Sequence, residues 1–127
     1  METEKKVILL VEDDTALRRV LVDKLKDEGF GVLEAANGEE GLQLSNEHHP
    51  SLIVLDIYMP KMDGVTMLAK LRDSGDAWGK SVNVLVLTNS TDAKTMAKVS
   101  DFGRTDFLIK SEWSLEALVA RIRERLQ

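Results

Sequence analysis

The sequence predicts an α/β fold in which a doubly wound sheet of parallel strands is covered by helices on both faces. Three short apolar runs, Val7 to Val11, Leu52 to Leu55 and Val84 to Leu87, are rich in β-branched residues and lack period-two alternation. That is the pattern of strands buried on both sides. Amphipathic stretches with helix start and stop signals lie between them. Parallel strands need crossover connections, and these are right-handed, so strict alternation of short buried strands with helices selects the doubly wound class.

Two weaker runs, Gly31 to Ala35 and Asp106 to Ile109, bring the strands to five. The first helix follows Asp14-Thr15, places Leu17, Leu21 and Leu25 on one face and stops at Gly29. Asn37 with Glu40 three residues later reads as a capping box for the second helix, which ends at His48-His49-Pro50. A third helix is predicted from about Gly64 to Arg72 and a fourth from about Thr91 to Asp101, before Gly103. The last begins at Ser114 and sets Leu115, Leu118, Val119, Ile122 and Leu126 on one stripe. Asp73 to Asn83, rich in small and polar residues, reads as the one long loop. Five helices are therefore expected.

At 127 residues the chain is expected to form one ordinary domain with a single core, residues 1–127, and no further domain. A formal charge of -5 at pH 7 repels nucleic-acid backbones and anionic membranes, and a small basic cluster such as Arg18-Arg19 does not reverse that. The absence of cysteine excludes disulfides and thiolate metal sites. No apolar run approaches the length of a membrane span or a signal-peptide core, and the expected location is cytoplasmic.

Ligands of open parallel sheets bind beyond the carboxyl ends of the strands. The residues there are Glu12, Asp13 and Asp14 after the first strand, Asp56 after the third, Thr88 after the fourth and Lys110 after the fifth. Carboxylates about 4 Å apart repel by about 4 kcal/mol at an effective dielectric of 20, so an ionised cluster calls for a cation. All-oxygen ligation points to Mg²⁺, with Mn²⁺ or Ca²⁺ as substitutes. One carboxylate oxygen can then attack phosphorus in line, while a hydroxyl and an ammonium stabilise the phosphoryl oxygens. Asp56, Thr88 and Lys110 fit those three roles.

These segments resemble the receiver domains of two-component response regulators, with the single-domain chemotaxis regulator as the nearest architectural type. Val11-Glu12-Asp13-Asp14 is similar to the family's acidic segment, Leu55 to Gly64 to its phosphoacceptor segment, Leu87-Thr88 to its hydroxyl switch and Ile109-Lys110 to its lysine. The resemblance runs from Val7 to Leu126. It implies a flavodoxin-like sheet in the order 2-1-3-4-5 flanked by five helices. It also implies Mg²⁺ held by Glu12, Asp13, Asp56 and the Tyr58 backbone carbonyl, and phosphorylation of Asp56. Thr88, Lys110 and the inward-turning aromatic Phe107 would respond to the phosphoryl group, and Tyr58 and Asn89 would modulate access to it. The implied partners are a histidine kinase or histidine phosphotransfer protein and a downstream protein target, without nucleic acid or membrane, the chain being a monomer or weak dimer. Catalysis would be confined to the domain's own phosphorylation and dephosphorylation.

The chain departs from the family pattern where Asn89 replaces a small residue and Ser111 replaces the proline after the lysine. Those departures keep a pseudo-receiver, docking partners without phosphorylation, as an alternative. A haloacid-dehalogenase-type phosphatase would place an acid two residues after its nucleophile, where this chain has Tyr58. A flavodoxin-like FMN protein would not present Glu12-Asp13-Asp14 to a phosphate. Elsewhere the plainer readings hold: Asp14 and Asp63 as helix caps or turn residues, His48 and His49 at a helix dipole, Met59 and Met62 as packing. Trp113 is expected to be partly buried, and Trp78 reads equally well as a buried anchor or a partner contact.

Overall fold

A computed structural model describes residues 5–57, 63–74, 77–88, 93–101, 103–109 and 114–126. In chain order the elements are β1 Val7–Val11, α1 Thr15–Asp27, β2 Gly31–Ala35, α2 Gly38–His48, β3 Leu52–Asp56, α3 Gly64–Arg72, α4 Ala77–Ser81, β4 Asn83–Thr88, α5 Ala93–Ser100, β5 Thr105–Ile109 and α6 Leu115–Leu126. All strand pairs are parallel and the order is β2-β1-β3-β4-β5, as the resemblance implies.

The lack of alternation in the central strands has a direct cause. Ile8, Leu10, Leu52, Val54, Leu85 and Leu87 face one layer, where α1 contributes Leu21 and Leu25 and α6 contributes Leu118 and Ile122. Leu9, Val11, Ile53, Leu55, Val84 and Val86 face the other, against Met67, Leu68 and Leu71 of α3 and Val99 of α5. Every position of β3 is buried, whereas β2 and β5 at the sheet edges are mostly half-buried. Their weaker apolar runs reflect that edge position.

The helix signals act as read. Asp14 accepts the Leu17 amide at 3.1 Å, and Asp63 accepts the Thr66 amide at 2.8 Å, both as N-caps. Asn37 caps α2 through the Glu40 amide at 3.0 Å, but Glu40 reaches back to the Ala36 amide instead of that of Asn37. Ser114 caps α6 through the Ala117 amide at 3.1 Å.

One expectation fails: the described residues form six helices, not five, because Ala77–Ser81 is the short helix α4 within the segment read as a loop. Five residues have little helical tendency alone, and here tertiary contacts hold them. The Trp78 indole donates to the Pro50 carbonyl at 3.1 Å and its ring stacks on His49 at 4.6 Å. Trp78 is thus a partly buried anchor. Arg72 of α3 donates to the Gly79 carbonyl at 3.1 Å. A Cβ on Gly79 would lie 2.7 Å from the Leu71 carbonyl oxygen, so only glycine permits this approach.

On the outer edge, Asp106 ties α6 to β5 by accepting Arg121 at 2.8 Å and Arg125 at 3.0 Å. Partial burial pushes its carboxyl upward, but the bonds from Arg121, the Phe107 amide and Arg125 outweigh it and hold the group below the usual range. A depressed folded value contributes stability above the unfolded pKa, and that stability is lost as pH falls through the folded value. Asp106→Asn should therefore lower Tm at pH 7 by about 4 °C, or about 1 kcal/mol. Parallel thermal melts should show the difference closing as the medium is acidified below the ordinary aspartate range.

Candidate functional site

The carboxyl ends of the central strands bring the acids together. The Val11↔Leu55 register of β1 and β3 makes Glu12 and Asp56 neighbours one step further along. The Glu12 amide donates to the Ala35 carbonyl at 3.0 Å, which extends the β1 pairing past Val11 and draws Glu12 into the interior. Glu12 is 1% exposed and Asp56 6%, while Asp13 lies at the surface. One carboxylate oxygen from each residue lies within 4.8 Å of the others. Two unit charges that far apart repel by about 3.5 kcal/mol at an effective dielectric of 20. Adjacent carboxylates at the carboxyl ends of the strands, two buried and one exposed, suit a hard divalent cation that keeps part of its water shell.

Neighbouring groups hold this geometry. The Asp14 amide donates to Glu12 Oε2 at 3.1 Å, and Arg18 of α1 donates to the Glu12 backbone carbonyl at 2.7 Å. Arg18 also reaches Glu34 at 3.4 Å, linking the acidic turn to the edge strand β2. At the other side, the Gly64 amide donates to the Ile57 carbonyl at 2.7 Å and closes the segment that follows Asp56. A Cβ on Gly64 would sit 2.5 Å from the Asp56 carbonyl oxygen and 2.7 Å from Ile57 Cα. Sequence reasoning missed both supports. Arg18 reads as an ordinary surface residue of a helix, and the signal for Gly64 was only that glycine opens a helix where alanine would serve better.

Of the other expected residues, Thr88 ends β4 and its backbone pairs with Ile109, the last residue of β5, so Lys110 follows the strand next to it. Phe107 is half-buried on β5 and packs against the core layer that contains Val86 and Val99. The Thr88 side chain lies outside the described residues, as do Tyr58, Met59, Met62, Asn89, Lys110, Ser111 and Trp113.

Residues 8–123 match the family model described as the response regulator receiver domain. The chain belongs to that family. This receiver domain is 37% identical over its full length to a relative named probable transcriptional regulator ycf27 of Cyanophora paradoxa, covering 51% of it. It is 39% identical, over 81% of its length, to the probable C4-dicarboxylate response regulator DctR of Priestia megaterium, covering 44% of that protein. The receiver domain thus spans about half the length of these curated relatives. Among solved structures, the Vibrio cholerae chemotaxis protein CheY4 superimposes with a TM-score of 0.88 at 26% identity, over 97% of this chain and 100% of the other. The N-terminal domain of a Wolinella succinogenes protein matches with a TM-score of 0.84 at 31% identity, over 97% and 94%.

The family consists of regulatory phosphoacceptors of two-component systems and not of turnover enzymes, and its members bind Mg²⁺ in an acidic pocket. In this receiver domain the carboxylate oxygens of Glu12, Asp13 and Asp56 lie close enough together to share one metal ion. Among the described residues, no helix is long and apolar enough to cross a membrane.

Proposed function

We propose that this receiver domain takes a phosphoryl group onto Asp56 from a histidine kinase or a histidine phosphotransfer protein. The observation that carries the reading is the convergence of Glu12, Asp13 and Asp56 within 4.8 Å at the carboxyl edge of a parallel sheet. Glu12, Asp13, Asp56 and the Tyr58 backbone carbonyl would hold Mg²⁺, which when bound neutralises charge on the acids and on the incoming phosphoryl oxygens.

The remaining chemistry belongs to the chain. One Asp56 carboxylate oxygen attacks phosphorus in line; the new O–P bond forms as the bond from phosphorus to the donor nitrogen or oxygen breaks. Thr88 and Lys110 contribute a hydroxyl donor and a positive charge to the phosphoryl oxygens. Water later attacks the acyl phosphate and releases inorganic phosphate, restoring the carboxylate. Signal output passes through protein contact, with Phe107 responding to the movement of Thr88, and Tyr58 and Asn89 shape access to Asp56.

Incubation with a small acyl phosphate and Mg²⁺, followed by intact-mass measurement, should show one added phosphoryl group that chelation of the metal prevents. An unchanged mass in the presence of Mg²⁺, with the chain folded, would favour a docking role without phosphorylation. Asp13→Asn should weaken Mg²⁺ binding about tenfold, or about 1.4 kcal/mol, and slow the mass increase. Because it removes one of three repelling charges, its Tm without metal should equal or exceed the parent's. A titration giving unchanged Mg²⁺ affinity would remove Asp13 from the ligand set.

A further inference from the structure

The opposite end of the sheet, about 16 Å away along five-residue strands, carries a second concavity. This cleft of about 420 Å³ lies where the strands begin and is lined by Lys6 before β1, His49 after α2, Asn83 at the start of β4, Arg104 before β5 and Arg125 near the end of α6. Its volume is within the range of small-molecule sites. In a chain with a net charge of -5, this concentration of cations runs against the overall composition. An adjoining cleft of about 380 Å³ shares Asn83, Arg104 and Arg125 and adds one acid, Glu124.

The cations are poorly matched by acids. Arg125 shares Asp106 with Arg121, while neither Lys6 nor Arg104 has a carboxylate within salt-bridge distance among the described residues. Arg72 approaches from behind and donates to the Gly103 carbonyl at 2.9 Å and the Arg104 carbonyl at 3.3 Å. Burial first, and the nearby Arg104 guanidinium second, lower the pKa of Arg72. Like charges are therefore held close together at this end of the sheet.

The backbone supplies an independent sign. Among the described residues only two non-glycine positions have positive φ, His49 at 46° and Arg104 at 41°, and both line this cleft. His49 is the C-cap of α2, a common place for left-handed backbone. Arg104 has no such cap role, and Gly103 beside it, at φ 72°, would be the natural residue for the turn. Backbone held in a sparsely populated region is characteristic of sites where side-chain placement matters. Arg72 anchors that turn, so the Arg104 guanidinium is presented from a fixed backbone.

We propose that this cleft is an anion site for a small phosphate-bearing molecule carrying at least two negative charges, with Lys6 and Arg104 as its principal contacts and Arg125 and Asn83 beside them. These two cations, without a carboxylate partner among the described residues, come from chain segments on either side of the sheet's centre, which favours a multiply charged anion over a single carboxylate. Nucleotides and sugar bisphosphates share this chemistry.

The test uses the whole chain in excess chelator, so that the acidic end of the sheet is metal-free, and titrates inorganic pyrophosphate by calorimetry and by amide NMR. One-to-one binding is expected, with shifts at Ser51, Asn83 and Arg104 and none at Asp13 or Asp56. Lys6→Gln and Arg104→Gly should each weaken it at least tenfold. Arg104→Gly is chosen because glycine accepts the left-handed backbone, and Lys6→Gln alters an exposed side chain, so both variants should keep the parent's fold. Tighter binding of ADP than of pyrophosphate would assign the anion to a nucleotide, and tighter binding of a ribose bisphosphate would assign it to a sugar phosphate. Absence of saturable binding at millimolar pyrophosphate, equal affinity in both variants, or shifts centred elsewhere would overturn the proposal.

Discussion

Replacing Asp56 by asparagine should reduce Mg²⁺-dependent phosphoryl uptake to background while the chain stays folded. The amide oxygen is a poor nucleophile, and no other described carboxylate occupies both an interior position and the end of a central strand except Glu12. Glu12 is committed differently, since Oε2 accepts the Asp14 amide at 3.1 Å. The substitution also removes one of the three charges that draw the cation, so Mg²⁺ affinity should fall at least tenfold, or about 1.4 kcal/mol. The effect on metal-free stability has the opposite sign. Asp56 is 6% exposed and within 4.8 Å of two other acids, so a neutral isostere relieves repulsion at little steric cost. Thermal melts in chelator should place the variant at or above the parent. A clear loss of stability would mean that the Asp56 charge is more strongly matched within the protein than a cation-seeking site requires.

Gly64→Ala should be the most damaging small substitution near the site. Helix propensity alone favours alanine over glycine by about 1 kcal/mol in a helix interior. Sterics oppose it, because the new Cβ would stand 2.5 Å from the Asp56 carbonyl oxygen and 2.7 Å from Ile57 Cα. Those are backbone atoms of a fully buried strand and its extension, with no flexible side-chain end to move aside. Overpacking of this kind costs about 1–3 kcal/mol, so the net change should be destabilising, with a Tm several degrees below the parent's. The displacement acts on Asp56, the proposed phosphoacceptor, so Mg²⁺ affinity and phosphorylation rate should fall with Tm. Calorimetric Mg²⁺ titration at a temperature where the variant is folded separates the two effects. A variant with raised Tm and the parent's affinity would show that propensity outweighs the contact.

Both predictions rest on features of unequal legibility. The central strands were readable because burial on two faces requires unbroken apolar runs, while β2 and β5 were fainter because each has an open edge. Glu12, Asp13 and Asp56 were readable as a group because they lie at or just after strand ends, and parallel topology brings those ends to one side. The short helix α4 was not, since what holds it is a tryptophan stacked on His49, an arginine from α3 and a glycine fitted against Leu71, contacts between segments far apart in sequence or set by backbone approach. Gly64 belongs to the same class. A local pattern identifies it as a helix start, but only the folded backbone shows that it must lack a Cβ. The cationic cleft was equally hidden, because Lys6, Arg104 and Arg125 are separate surface residues until the sheet assembles.

A phosphoryl group that enters on Asp56 is held as an acyl phosphate, which chemical reduction traps. Borohydride reduction converts an aspartyl phosphate to homoserine, which survives proteolysis and is located by peptide mass. After treatment with a small acyl phosphate and Mg²⁺, homoserine should appear at position 56 and should be missing when the metal is chelated. Homoserine at Asp13 or Asp63, or a stable phosphate on a hydroxyl residue with Asp56 intact, would show that Asp56 is not the acceptor.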